Sequence, residues 1–168
     1  MKKLIEYFQI PKHLALAVVV ISAVTLAAAY TSQYGFGLKP CNLCLYQRVP
    51  YFFNIDLGFL AFLATFRYPR LAKMLLSLTV VIFFAGAVIA GFHVGVEQKW
   101  WEGLPTCSGG ILPQNASIEE LRKSLTQQEI VRCDIPQFVL FGISMAGYNF
   151  LLSLALGFGV TYQLRKKP

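Results

Sequence analysis

Acidic side chains are scarce in this sequence: eight Asp and Glu among 168 residues, against fifteen Lys and Arg. Charged residues of both signs make up only 14% of the chain, while 56% is hydrophobic and the mean hydropathy is +0.56. An ordinary soluble domain is roughly 45 to 50% apolar, so this composition excludes a water-soluble globule and points to one membrane-embedded domain. Internal repeats and low-complexity runs are missing, so nothing divides residues 1–168 further. Strand–helix–strand alternation is missing around the single CxxC, which excludes a thioredoxin-like redox fold. The net charge of +7 would suit a nucleic-acid or anionic partner only if the basic residues formed a patch. They lie instead beside apolar segments, which is a topology signal.

Four apolar stretches read as spanning helices: 14–30, 49–66, 75–92 and 138–160. The shortest holds 17 residues, at the lower limit for crossing a bilayer. The expected fold is an all-α membrane protein, a four-helix bundle with outer loops 31–48 and 93–137. The first stretch follows Met1-Lys2-Lys3 and ends in Ala27-Ala28-Ala29-Tyr30, a form shared with signal peptides. Its apolar run exceeds the usual signal length, so it is read as a span; cleavage would not move the cysteines across the membrane. Lys2, Lys3, Lys12, Arg67, Arg70, Lys73, Arg165, Lys166 and Lys167 fall on one side, nine of the fifteen basic residues. The other side carries six basic residues diluted by six of the eight acids. The positive-inside rule then makes both termini cytoplasmic and all four cysteines external. In a bacterial inner membrane that outside is the oxidising periplasm. Segment 67–74 is a short cytoplasmic turn. Trp100 and Trp101 suit interfacial anchors, and Ser117-Ile118-Glu119-Glu120 has the form of a capping box opening a short amphipathic surface helix. Spaced small residues, Gly86 with Ala90, Ala87 with Gly91, Gly142 with Ala146 and Ser153 with Gly157, suit close helix packing.

Cys41 and Cys44 form a CxxC between the first two spans, with Arg48 four residues on. If a helix begins near residue 45, Cys44 lies at its first turn and Arg48 one turn later on the same face. A guanidinium at about 4 Å contributes roughly 4 kcal/mol at an effective dielectric of about 20. A helix end contributes about 0.3 to 1 kcal/mol, so Arg48 should dominate a lowered Cys44 pKa. Cys107 and Cys133 form a second pair with 25 intervening residues. Four cysteines allow three pairings, and spacing does not choose among them. Two structural staples are the simplest alternative. A zinc site is disfavoured because the second pair lacks short ligand spacing and faces an oxidising space, and no metal is expected.

Cys41-Asn42-Leu43-Cys44-Leu45-Tyr46-Gln47-Arg48 after a first span, a cysteine pair in a long second outer loop, and four spans with both ends inside resemble the DsbB family of disulfide-generating membrane proteins. The segment from Gly91-Phe92-His93 through Cys107 strengthens the likeness, which covers essentially the whole chain. The resemblance implies an oxidoreductase that reoxidises a soluble periplasmic DsbA-like thiol oxidase and passes the electrons to a membrane quinone, ubiquinone or menaquinone. It implies that Cys107 takes the mixed disulfide, that Cys133 resolves it and exchanges with Cys41, and that Cys44 as thiolate donates to the quinone. Arg48 maps to the family's arginine and would stabilise both the Cys44 thiolate and negative charge on a quinone oxygen.

His93, at the outer end of the third span, is a candidate to hydrogen-bond a quinone carbonyl or supply a proton. Glu97, one turn on, is expected to be solvated. Asn54 and Asp56 are polar residues inside the second span, costly there, and neither is assigned to the site. The vitamin K epoxide reductase family also joins a CxxC to a quinone, but there the motif is expected late in the chain, and here it is early. A membrane scaffold stapled by two disulfides would give Arg48 no purpose.

Overall fold

The structure is a computed structural model that describes residues 11–107 and 131–166. Four long helices dominate it: α1 (Pro11–Tyr34), α3 (Val49–Ala64), α4 (Pro69–Glu97) and α5 (Met145–Arg165), with a short α2 (Asn42–Tyr46) ahead of α3. Three of them, α1, α4 and α5, are long and apolar enough to cross a membrane. At 16 residues, α3 rises roughly 24 Å, short of the ~30 Å hydrocarbon core. It does not stand alone: α2 leads into it through Gln47 and Arg48, and Pro50, which has no N–H to donate, lies in its first turn. The helix of the expected span 49–66 thus ends at Ala64 and is preceded by α2.

The other boundaries moved too. The 75–92 stretch lies inside a 29-residue helix that opens on Pro69, because helical hydrogen bonding continues past the point where apolar composition stops; proline suits a first turn, where the N–H has no partner anyway. The 138–160 span is corrected more substantially. Val139–Leu140 and Ile143–Ser144 form a small antiparallel hairpin, β1 and β2, and α5 begins only at Met145. Phe141 and Gly142 turn it with φ of 51° and 79°, the positive pair that two-residue hairpins favour. Gly142 is therefore a turn residue, not a packing partner of Ala146. Ser144 then caps α5 by accepting from the Gly147 N–H at 3.1 Å. The expected amphipathic helix at Ser117 to Leu125 lies outside the described residues.

The helices pack in chain order, α1 on α3, α3 on α4 and α4 on α5, leaving α1 and α5 on the flanks and scarcely in contact. Small residues make the close approaches. A Cβ on Gly86 would meet Pro50 at 3.2 Å, and one on Gly157 would meet the Phe84 ring at 3.1 Å. Leu76, Phe83, Tyr51 and Val18 fill the core between them. Asp56 points outward from α3, while Asn54 is fully buried with neither amide atom hydrogen-bonded among the described residues.

The C-terminal end of α4 is closed by Trp101. Its ring stacks on Phe92 with centroids 5.8 Å apart, and its Nε1–H donates to the Phe92 carbonyl at 3.0 Å. The ring lies against Gly95 so closely that a Cβ there would come within 2.0 Å of it. Gly95→Ala should therefore displace Trp101 and destabilise the protein by about 1 to 3 kcal/mol, lowering the thermal unfolding midpoint and shifting tryptophan emission. Gly159→Ala, whose Cβ meets nothing within 4 Å, should change neither. An unaltered midpoint and emission in Gly95→Ala would show that Trp101 does not hold this helix end.

Candidate thiol redox site

Cys41 caps α2, its sulfur accepting the Cys44 backbone N–H at 3.3 Å. The geometry turns the two CxxC side chains toward each other, Sγ to Sγ 3.0 Å, as a dithiol. Cys107, at the end of a 3-10 turn (Pro105–Cys107), is disulfide-bonded to Cys133. The two pairs are neighbours: Cys41, Cys107 and Cys133 are all buried in one cluster with Leu43 and Val96, and Cys44 packs against it. All four predicted cysteines thus meet at the C-terminal end of α4.

His93 joins them. It is 2% exposed, and its Nε2 lies 3.6 Å from the Cys41 sulfur and 3.2 Å from the Cys133 carbonyl oxygen. Glu97 is not solvated as expected. Its side chain is 6% exposed, 3.8 Å from His93 Nε2, and accepts the Ser144 hydroxyl. The hairpin that ends in Ser144 delivers that donor, so α5's cap and the Glu97 contact come from one residue.

The charge balance between the two sulfurs depends on groups other than Arg48. Of the two sulfurs Cys41 is the one held down, first by its hydrogen bond with Cys44 and, against the cost of burial, by His93. Cys44 is pushed up, first by the same hydrogen bond and then by burial and the Cys41 charge. The Cys44 backbone N–H and the His93 ring beside Cys41 favour its charged form. Arg48 is not among the causes acting on Cys44. Its Nη1 donates to Gln33 Oε1 at 2.7 Å, and its guanidinium lies 4.8 Å from the centre of the Tyr30 ring. Gln47 and Arg48 keep helical backbone between α2 and α3, but the guanidinium engages Gln33 and Tyr30 of α1.

Arg48 instead lines a cavity of about 410 Å³ shared with Cys41, Cys44 and His93. Thr25, Leu26 and Ala29 of α1 form one wall, and Ala146, Asn149 and Leu152 of α5 the other. Its size falls within the range of small-molecule and cofactor sites. The donor atoms of Cys41, Cys44 and His93 also lie within 4.8 Å of one another, but these groups already satisfy each other by hydrogen bonds and we assign no metal. Sequence reasoning missed Gln47, Asn149 and Tyr51, which hydrogen-bond around His93. The signal available was that each is a polar side chain inside or beside an apolar run.

Residues 11–163 match the family described as Disulfide bond formation protein DsbB. The chain belongs to the DsbB family. Membership makes it a disulfide-forming oxidoreductase, and with its three apolar helices a multi-pass membrane protein. It is 32% identical to an uncharacterized Rickettsia prowazekii protein over 86% of this chain and 83% of that one. It is 30% identical to disulfide bond formation protein B of Methylococcus capsulatus over 80% and 82%. Against the protein of that name from Nitrosomonas europaea it is 32% identical over 63% and 62%.

The order of the two thiols is open to measurement. With Cys107–Cys133 intact, Cys44→Ser leaves Cys41 alone beside a hydroxyl that can still donate. Its thiolate ultraviolet absorbance should persist well below the ordinary cysteine value of about 8.5 and fade only in acid. The remaining thiol of Cys41→Ser should titrate at or above that value. The reverse order would restore Arg48 as the controlling charge.

Proposed function

We propose that this DsbB-family chain, acting as one integral domain, reoxidises a soluble periplasmic DsbA-like thiol oxidase and passes the electron pair through its two cysteine pairs to a membrane quinone. The observation that carries this reading is the buried contact of a disulfide, a dithiol and a histidine on one side of an apolar cavity. Four spans, cytoplasmic termini and periplasmic cysteines accompany it, supported by the basic-residue distribution.

Cys107 and Cys133 are the pair that exchanges with the soluble partner, Cys107 forming the mixed disulfide and Cys133 resolving it. Thiol–disulfide exchange needs an attacking thiolate and a stabilised leaving sulfur. Cys41, buried beside Cys133 and supplied with hydrogen-bond donors, suits exchange with that second pair. Cys44, the less buried of the two, borders the cavity.

The cavity fits a quinone on the chemistry of its walls: apolar α1 and α5 residues for a ring and lipid tail, with Arg48 as donor for a ring oxygen and His93 lining the wall beside the sulfurs. A quinone supplies an acceptor for two electrons that soluble thiol pools do not. Because α1 and α5 are scarcely in contact, a lipid-soluble molecule has a lateral way in between them. Arg48 is held at that wall by Gln33 and Tyr30, with its charge available to an oxygen.

Anaerobic mixing of the purified chain with a reduced DsbA-like oxidase should reduce added ubiquinone or menaquinone. Cys44→Ser should abolish this. Arg48→Gln should raise the apparent quinone KM about tenfold, the equivalent of roughly 1.4 kcal/mol, while leaving exchange with the oxidase intact. Failure to reduce either quinone would overturn the reading.

The order within the second pair has its own test. Cys133→Ser should accumulate a mixed disulfide between Cys107 and the oxidase, and Cys107→Ser should accumulate none. Normal turnover in both variants would make that disulfide a structural staple.

A further inference from the structure

His93 sits at the end of a directed chain of hydrogen bonds that none of the four cysteines requires. Its Nε2 faces only acceptors: the Cys133 carbonyl at 3.2 Å, the Cys41 sulfur at 3.6 Å and Glu97 Oε1 at 3.8 Å. A carbonyl cannot donate, so Nε2 carries a proton. Its Nδ1 lies 2.6 Å from Gln47 Nε2, and an amide nitrogen only donates, so Nδ1 is bare.

What holds Gln47 in that orientation is the rest of the chain. Gln47 Oε1 accepts from Asn149 Nδ2 at 2.6 Å, and Asn149 Oδ1 accepts from the Tyr51 hydroxyl at 2.5 Å. Tyr51 has one hydroxyl proton and uses it there, so Ser153, 3.1 Å away and 1% exposed, donates to Tyr51. Every bond points the same way, from Ser153 on α5 through Tyr51, Asn149 and Gln47 to His93 and the Cys41 sulfur. Aligned bonds of this kind strengthen one another in a low-dielectric interior.

The geometry points to Gln47 and Asn149 as positioning residues that fix His93 as the Nε2–H tautomer, so that its one ring proton stays aimed at the Cys41 sulfur. This rests on the thiol-relay reading of the site and deepens it. Whenever Cys41 holds the electron pair of a broken S–S bond, the Nε2–H is its hydrogen-bond donor, and no proton need transfer. The chain has one alternative polarity. If both amides turn over, Gln47 presents Oε1 to Nδ1, and Nδ1 must then carry a proton as well. The other charged groups near the ring are Glu97 on its own helix and, lining the same cavity, Lys39, Arg48 and Arg132.

The chain has only two histidines, so a His13→Gln background leaves His93 alone in nitrogen-15 spectra of the full-length protein in detergent. Long-range proton–nitrogen correlations then report which ring nitrogen is protonated, independently of turnover. The expected pattern is Nε2 protonated and Nδ1 bare. Asn149→Asp, two links away, has no donor for Gln47 Oε1. Gln47 should then turn its Nε2 to the new carboxylate, and Nδ1 should gain a proton. Gln47→Glu should do the same directly, because a carboxylate facing Nδ1 only accepts. A protonated Nδ1 in the unaltered chain would overturn the proposal. So would a bare Nδ1 in both variants while the Cys107–Cys133 disulfide and the thermal midpoint are kept. Loss of quinone reduction with the expected tautomer pattern intact would count against the relay alone.

Discussion

An imidazole withdrawn from water at the end of a 29-residue apolar helix must find all its partners within the protein. Leaving a buried polar group unpaired costs about 1 to 3 kcal/mol, so the partners are held as firmly as the ring. They come from four places in the chain: Cys41 ahead of α2, Gln47 after it, Glu97 one turn along α4, and the backbone of Cys133 ahead of β1. Satisfying His93 therefore ties the segment before α3 and the segment before β1 to one point. The contact that brings the Cys107–Cys133 disulfide beside the CxxC is a consequence of the same requirement. The hairpin before α5 serves it as well, since Ser144 both starts that helix and donates to Glu97.

Bulk hydrophobicity was enough to read the helical architecture, because a bilayer demands long apolar helices whose backbone groups bond within themselves. It was not enough to place their ends. Residues 138–144 are as apolar as the helix they precede, and only the backbone conformation of Phe141 and Gly142 separates hairpin from helix. An aromatic residue at positive φ gives little warning in a sequence. The cysteines were legible for the opposite reason: their chemistry is carried by residue type and spacing, and all four lie at the site. The charge on the CxxC was not, because sequence reasoning could weigh only near neighbours. Arg48 is four residues from Cys44, yet the side chain that helps hold Cys41 down is His93, 52 positions away. Likewise Gln47 and Asn149 meet across 102 positions.

The two sulfurs of one motif end up in unlike surroundings, and that difference supports a direction for electron flow. Cys41 is 5% exposed and faces the histidine, the buried second pair and a set of aligned donors. Cys44 is less buried and borders a cavity walled by apolar residues of α1 and α5. A helix turn of three residues is enough to place them so, because the Cys41 sulfur caps α2 while Cys44 lies within it. On the Cys41 side, polar contacts are numerous and costly to break, which suits exchange with a protein disulfide in fixed register. The cavity that both sulfurs line lies between α1 and α5, which are scarcely in contact, so an apolar molecule could enter or leave it from the side. A fixed polar contact with the second pair and an apolar cavity, meeting at a single dithiol, would let a protein disulfide and a lipid-soluble acceptor both reach it.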